Sequence, residues 1–199
     1  GTKYSIALAN GSVALTSAYL SLGLKKGDEI ITPSRTYVAT ASSAAIFGAI
    51  PIFADVDKET GCITSKTIEP LINHKTKAIS VVHLGGWPAD MISICKLAES
   101  YGIPVVEDCA QAHGARILYN GEFKSIGSFG VISAWSFCQD KIISTAGEGG
   151  MISTNDKAKW NYIWSLKDHG KNYDLVHQKN EKFSFRWLHE SIGTNLRIT

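Results

Sequence analysis

Apolar positions along this chain follow two alternating rhythms. Val13, Ala14, Leu15, Ala18, Tyr19 and Leu22 recur at spacings of three and four behind Asn10-Gly11-Ser12, residues suited to an N-cap, and predict a helix that Lys25-Lys26-Gly27-Asp28 ends. Tyr37 to Phe47, rich in small residues, the region near Ile68 to Ile72, and Met91 to Ala98 predict further helices. Between them stand short apolar runs: Glu29 to Thr32, Pro51 to Ala54, Ala78 to Val82, Pro104 to Val106 and Val131 to Phe137. These predict strands, with Ala78 to Val82 the most fully buried. Strand and helix in alternation predict an α/β fold with a mostly parallel central sheet and helices on both faces. No segment repeats.

Open parallel sheets bind ligands beyond the carboxyl ends of their strands, so polar residues just after the apolar runs are the first candidates for chemistry. His83, Asp108 and Ser136 hold such positions. His83, ending a buried strand, reads as a hydrogen-bonded structural residue rather than a proton carrier. Asp108 follows Val105-Val106-Glu107, so its carboxylate is expected to be partly buried and to need a cation or several donors; a cap for a following helix is the equal alternative. Gly11-Ser12 offers free amides and a hydroxyl at a helix start, which suit a phosphate and also an ordinary cap. Lys141 lies between a predicted strand and the turn Gly147-Glu148-Gly149-Gly150. Its amine is a nucleophile only when neutral, so a catalytic role asks for a desolvated or electropositive setting that lowers its pKa. A solvated lysine beside a hairpin is the plain alternative.

Composition narrows the partners. The 199 residues are 44% hydrophobic and 19% charged, enough for one substantial core. A net charge of +2 without a basic block gives no support for nucleic acid or an anionic membrane, so a small-molecule partner is expected. Cys62, Cys95, Cys109 and Cys138 form no C-x-x-C pair, so neither a metal site nor a disulfide framework is indicated. With no charged leader ahead of an apolar core and no apolar run of membrane-spanning length, the expected location is the cytoplasm. The chain opens on Gly1 without an initiator Met and closes at Thr199, and is expected to be a segment of something longer.

Several segments, in order, resemble one family. Asn10-Gly11-Ser12, Thr32 to Thr40, Gly48 to Asp55, His83 to Asp90, Val106 to Gly114, Ser136 to Lys141, Gly147 to Gly150 and Gly193 to Arg197 are similar to the pyridoxal-phosphate sugar aminotransferases of the DegT and StrS type, of the fold-type-I superfamily. The resemblance covers the whole chain. It implies the cofactor pyridoxal 5'-phosphate, carried covalently by Lys141, which would also move the proton at the substrate carbon. Asp108 would pair with the pyridine nitrogen. Gln111, expected one helical turn beyond Asp108, would reach the same ring or its phenolic oxygen, and Tyr37 would stack on the other face. Gly11, Ser12 and Ser136 would hold the phosphate, joined by Asn195 from a partner subunit of a homodimer whose active site is shared. Plain alternatives remain: Tyr37 as core, Gln111 as a surface helix residue, Ser136 as a strand hydroxyl, and the alternating Phe183, Phe185 and Trp187 as core strand rather than interface.

The reaction so implied moves an amino group from an amino acid, L-glutamate, to a keto sugar linked to a nucleoside diphosphate, in making amino sugars for surface polysaccharide, glycan or antibiotic. A related branch that removes a sugar hydroxyl carries histidine in place of the lysine, so Lys141 argues for transfer. Relatives extend past Arg197 into a smaller domain. Residues 1–199 are therefore expected to be the large cofactor-binding domain, without a short N-terminal segment and the C-terminal small domain. A non-catalytic relative that binds cofactor or regulates is the alternative, disfavoured by Lys141 and Asp108. A nucleotide-dependent oxidoreductase lacks its G-x-G-x-x-G after an early strand.

Overall fold

The computed structural model describes residues 1–177 and 188–198. In chain order its elements are β1 (Tyr4–Leu8), α1 (Gly11–Ser21), β2 (Glu29–Pro33), α2 (Ala39–Ala45), β3 (Ile50–Ala54), α3 (Ser65–Ile68), β4 (Thr76–Val82), α4 (Met91–Ser100), β5 (Val105–Asp108), β6 (Arg116–Tyr119), β7 (Glu122–Ser125), β8 (Ile132–Ser136), β9 (Gly150–Thr154), α5 (Lys157–Lys167) and α6 (Tyr173–His177). Seven strands form one sheet in the order β1-β9-β8-β5-β4-β2-β3, while β6 and β7 pair apart as a hairpin. Strands β8, β5, β4, β2 and β3 are mutually parallel; β9 runs against both β8 and β1.

Both faces of the sheet are apolar because adjacent residues of each inner strand point opposite ways. Ile30, Ala78 and Val106 join α1, α2 and α5 in one core, with Tyr19, Ala44 and Trp164. Their neighbours Ile31, Ile79 and Val105 join α3 and α4 in the other, with Ile68, Met91 and Ile94. The expected architecture, a mostly parallel sheet covered on both faces, is thus the one observed.

Two local expectations change. The helix expected over Tyr37 to Phe47 is the shorter α2, and Tyr37 precedes it, 75% exposed. Small residues Ala39, Thr40, Ser43 and Ala44 bury there, which lets α2 lie close to α1 and leaves no place in the core for the Tyr37 ring. After Asp108 the chain enters turns, not a helix, so Gln111 is not stacked one helical turn above it. The Asp108 side chain itself takes the Ala110 amide at 3.1 Å, a local bond that favours a turn over a helix start. The aromatic-rich run Phe183 to Leu188, expected at an interface, lies outside the described residues except for Leu188, which is exposed.

Candidate active site

The site begins where α1 starts. Asn10, in extended backbone, caps α1 by accepting the Val13 amide on Oδ1 at 2.9 Å, which leaves the Gly11 and Ser12 amides directed off the helix end. The helix end sits against the C-terminal end of β8: a Cβ added to Gly11 would lie 2.7 Å from Ser136 Cβ, and one on Gly150 would run into the Asn10 carbonyl. Glycine is required at both positions for this close approach. The dipole of α1 and its unpaired amides make this corner receptive to an anion.

Gly11, Ser12, Tyr37, Asp108, Gln111, Ser136 and Lys141 all line one cavity of about 530 Å³ at the C-terminal ends of β5 and β8. Asp108, 6% exposed, accepts Thr40 Oγ1 at 2.8 Å on Oδ2 and the Ala110 amide on Oδ1. Burial pushes its pKa above the ordinary aspartate value, against the lowering by Thr40 and Ala110. A carboxylate so placed favours a cationic partner. Gln111 Oε1 accepts the Gly85 amide at 2.8 Å, so it is Gly85 and not Asp108 that the Gln111 side chain bonds.

Lys141 stands in the loop that joins β8 to β9, closed at its base by the Phe137 amide on the Gly149 carbonyl at 2.8 Å. Its Nζ donates to Asp140 Oδ1 at 3.0 Å. Partial burial acts to lower the ammonium's pKa, but the bond to Asp140, with Cys138 adding to it, wins and raises it. The lowered pKa expected of this lysine is not found here. The physical reason is Asp140, a carboxylate held in its charged form by the Cys138 thiol and Lys141.

Asn195 alone among the expected site residues does not line this cavity. It is exposed, its backbone bridges to Asp168, and its Oδ1 accepts Arg197 Nε at 3.0 Å. Thr40, Asp140 and Glu148 line the cavity without having been singled out from the sequence. Thr36 and Thr40, four apart at a helix start, were the available signal for the first.

Behind Asp108 lies a second buried carboxylate. Glu107 accepts the Phe129 and Gly130 amides on Oε1 at 2.8 and 2.6 Å, and Gly127 N and His83 Nε2 on Oε2 at 2.7 and 3.2 Å. Burial works against its charge, yet His83 and the amides hold its pKa below the usual glutamate value. His83 Nδ1 accepts the Ala89 amide at 3.1 Å, so Nε2 carries the proton. His83, Glu107 and Cys109 lie close enough to suggest a metal, but the four donors already occupy the carboxylate. The structural reading of His83 therefore stands.

Among known families, residues 1–199 match the DegT/DnrJ/EryC1/StrS aminotransferase family throughout. The chain belongs to that family. The GDP-perosamine synthase of Escherichia coli O157:H7 is 43% identical over 197 residues, covering 99% of this chain and 50% of that protein. An aminotransferase from Psychrobacter cryohalolentis has a crystal structure 50% identical to this chain, with a TM-score of 0.92 over 99% of this chain and 49% of its own. NtdA of Bacillus subtilis, crystallised with bound cofactor PMP, is 30% identical with a TM-score of 0.84, over 99% and 41% of the two chains. This family member spans about half the length of the relatives it matches.

Proposed function

We propose that this chain is the large, cofactor-binding domain of a longer pyridoxal-phosphate aminotransferase that passes an amino group from an amino acid, L-glutamate, to a keto sugar linked to a nucleoside diphosphate. The observation that carries the reading is the placement of Asp108, Lys141 and the α1 amides around one cavity. Together they fit a single molecule with three chemistries: a ring nitrogen that gains from a buried anion, a phosphate that gains from amides and the Ser12 and Ser136 hydroxyls, and an aldehyde that an amine can hold. The GDP-perosamine synthase named above supports the sugar class, and the PMP of NtdA, the amine form of pyridoxal phosphate, supports the cofactor.

In this reading Asp108 keeps the ring nitrogen protonated, and Gly11, Ser12 and Ser136 fix the phosphate. Tyr37, exposed at the cavity mouth, would be the residue to stack on the ring, and Gln111, which lines the same cavity, would border it. When bound, the cofactor supplies a sink for the electrons released at the substrate carbon. Lys141 Nζ would hold the group covalently until the substrate amine replaced it there, and the freed amine would be the acid and base for the proton at that carbon. The working unit in this proposal is a cytoplasmic homodimer, with Asn195 reaching the partner's phosphate site. Its exposure, and its absence from the lining of this chain's own cavity, support that role. No helix among the described residues is long and apolar enough to cross a membrane.

The test is an absorbance spectrum of the full-length protein with pyridoxal phosphate, before and after glutamate, followed by borohydride reduction and peptide mass spectrometry. A band that glutamate bleaches, with the reduced adduct on Lys141, is the expected result. An adduct on another lysine sinks the assignment of Lys141.

A further inference from the structure

Asp108 is the buried end of a row of hydroxyls. Thr40 Oγ1 lies 2.8 Å from Asp108 Oδ2, and Thr36 Oγ1 lies 2.8 Å from Thr40 Oγ1. Thr36 is half-buried and Thr40 only 1% exposed, so the row runs from near the cavity mouth, beside Tyr37, down to the carboxylate. The backbone of Thr40 is pinned from beneath. Tyr19 Oη, fully buried, donates to the Thr40 carbonyl at 2.9 Å, and because it has one proton it must accept from Ser80 Oγ, also at 2.9 Å.

The same counting sets the direction of the row. An ionised Asp108 only accepts, so the Thr40 proton points to it and the Thr36 proton points to Thr40. A protonated Asp108 would allow the row to reverse. The direction of two hydroxyls and the charge of one carboxylate are therefore coupled.

We propose that Thr36 and Thr40 form a hydroxyl relay that orients Asp108 and keeps it anionic, making Thr40 a positioning residue for the carboxylate that faces the cofactor ring. Other polar groups face Asp108, but none replaces this donor. Tyr19 from α1 and Cys109 just after β5 are buried with their pKa values pushed up, so both stay neutral. His83 at the end of β4 is engaged with Glu107, and Lys141 of the β8–β9 loop with Asp140. Among the described residues the hydrogen-bond donors on Asp108 are Thr40 Oγ1 and the Ala110 amide. The inference rests on the proposed cofactor reading for its purpose, though not for its geometry.

The experiment uses the full-length protein and three variants: Thr40→Val, Thr40→Ser and Thr36→Ala. The Asp108 pKa is read without cofactor by infrared titration of 13C-aspartate-labelled protein, its band assigned by its loss in Asp108→Asn. Thr40→Val should raise that pKa by about one to two pH units, the loss of one hydrogen bond to a charged group, and weaken pyridoxal phosphate by up to about ten- to a hundredfold at pH values below the raised pKa, where binding must first ionise Asp108. Thr40→Ser should restore both values, and Thr36→Ala should raise the pKa by less. An unchanged pKa in Thr40→Val, or a serine variant more damaged than the valine one, overturns the relay, the latter because packing of the methyl would then be what counts. A raised pKa with cofactor affinity unmoved in both Thr40→Val and Asp108→Asn would leave the relay intact and remove the cofactor assignment instead.

Discussion

Lys141 Nζ lies 3.0 Å from Asp140 Oδ1, so the amine proposed to hold the cofactor rests as a paired ammonium. The raised pKa means the pair favours the fold below the ordinary lysine value and ceases to do so as pH rises through the raised one. Asp140→Ala removes the acceptor while burial still opposes the charge. The rate at which pyridoxal phosphate forms its protein-bound absorbance band should therefore reach its plateau at lower pH in Asp140→Ala than in wild type. An unmoved pH profile would show that another group governs the step.

Asp108 has a linkage of the same sign, in a more acidic window. Its raised pKa means the folded chain binds this proton more readily than the unfolded one, so stability falls as pH rises from the ordinary aspartate value through the raised value. Asp108→Asn keeps an acceptor for Ala110 or Thr40 and removes the buried charge. Without cofactor its Tm should equal or exceed that of wild type at pH 8, and the gap should close toward acid. Its affinity for pyridoxal phosphate should fall by about ten- to a hundredfold. A cofactor-free Tm well below wild type would mean that Asp108 serves the fold.

Glu107 lies next in sequence and behaves as a structural anion. Its lowered pKa supplies stability above the ordinary glutamate value, and that stability disappears as pH falls through the lowered value. Glu107→Gln leaves four donors facing one acceptor oxygen. We expect a loss of about 3 kcal/mol or more in urea unfolding at pH 7, shrinking in acid. A loss near zero would mean that water satisfies the Gly127 to Gly130 amides.

The proposed shared site is tested by mixing. Lys141→Ala and Asn195→Ala subunits, each inactive alone, should regain part of the activity on co-refolding, because a mixed dimer holds one site with both defects and one with neither. No recovery, in a sample shown to contain mixed dimers, places Asn195 in its own subunit's site or in none.

Sequence alone made the inner strands legible. β4 and β5 bury both faces, so Pro104 to Val106 is an apolar run, as is Ala78 to Val82 apart from Ser80. The two strands beside the site that escaped notice, β1 (Tyr-Ser-Ile-Ala-Leu) and β9 (Gly-Met-Ile-Ser-Thr), mix small and polar residues and have no such run. The β6–β7 hairpin carried its signal in Asn120-Gly121, both at positive φ. In the site, Asp108, Ser136 and Lys141 were visible because they follow strands. Thr40 was not: its spacing from Thr36 hints at a hydroxyl pair, but nothing local names the carboxylate 68 positions away that it will meet. The state of Lys141 was also hidden: its neighbour Asp140 can turn toward it or toward solvent, and only the loop fold decides which.

The pairing of β1 with β9 has a consequence for biosynthesis. Tyr4 to Leu8 find their hydrogen-bond partners about 150 positions later, at Gly150 to Thr154. At a translation rate of about 5–20 residues per second, β1 leaves the ribosome roughly 7–30 seconds before that partner exists. For most of that interval α1 lacks the β8 end, and for all of it Gly150, on which its first turn rests. The nascent protein thus carries an unpaired strand and a half-built pocket, a window in which chaperones, and not the cofactor, are the partners available to it.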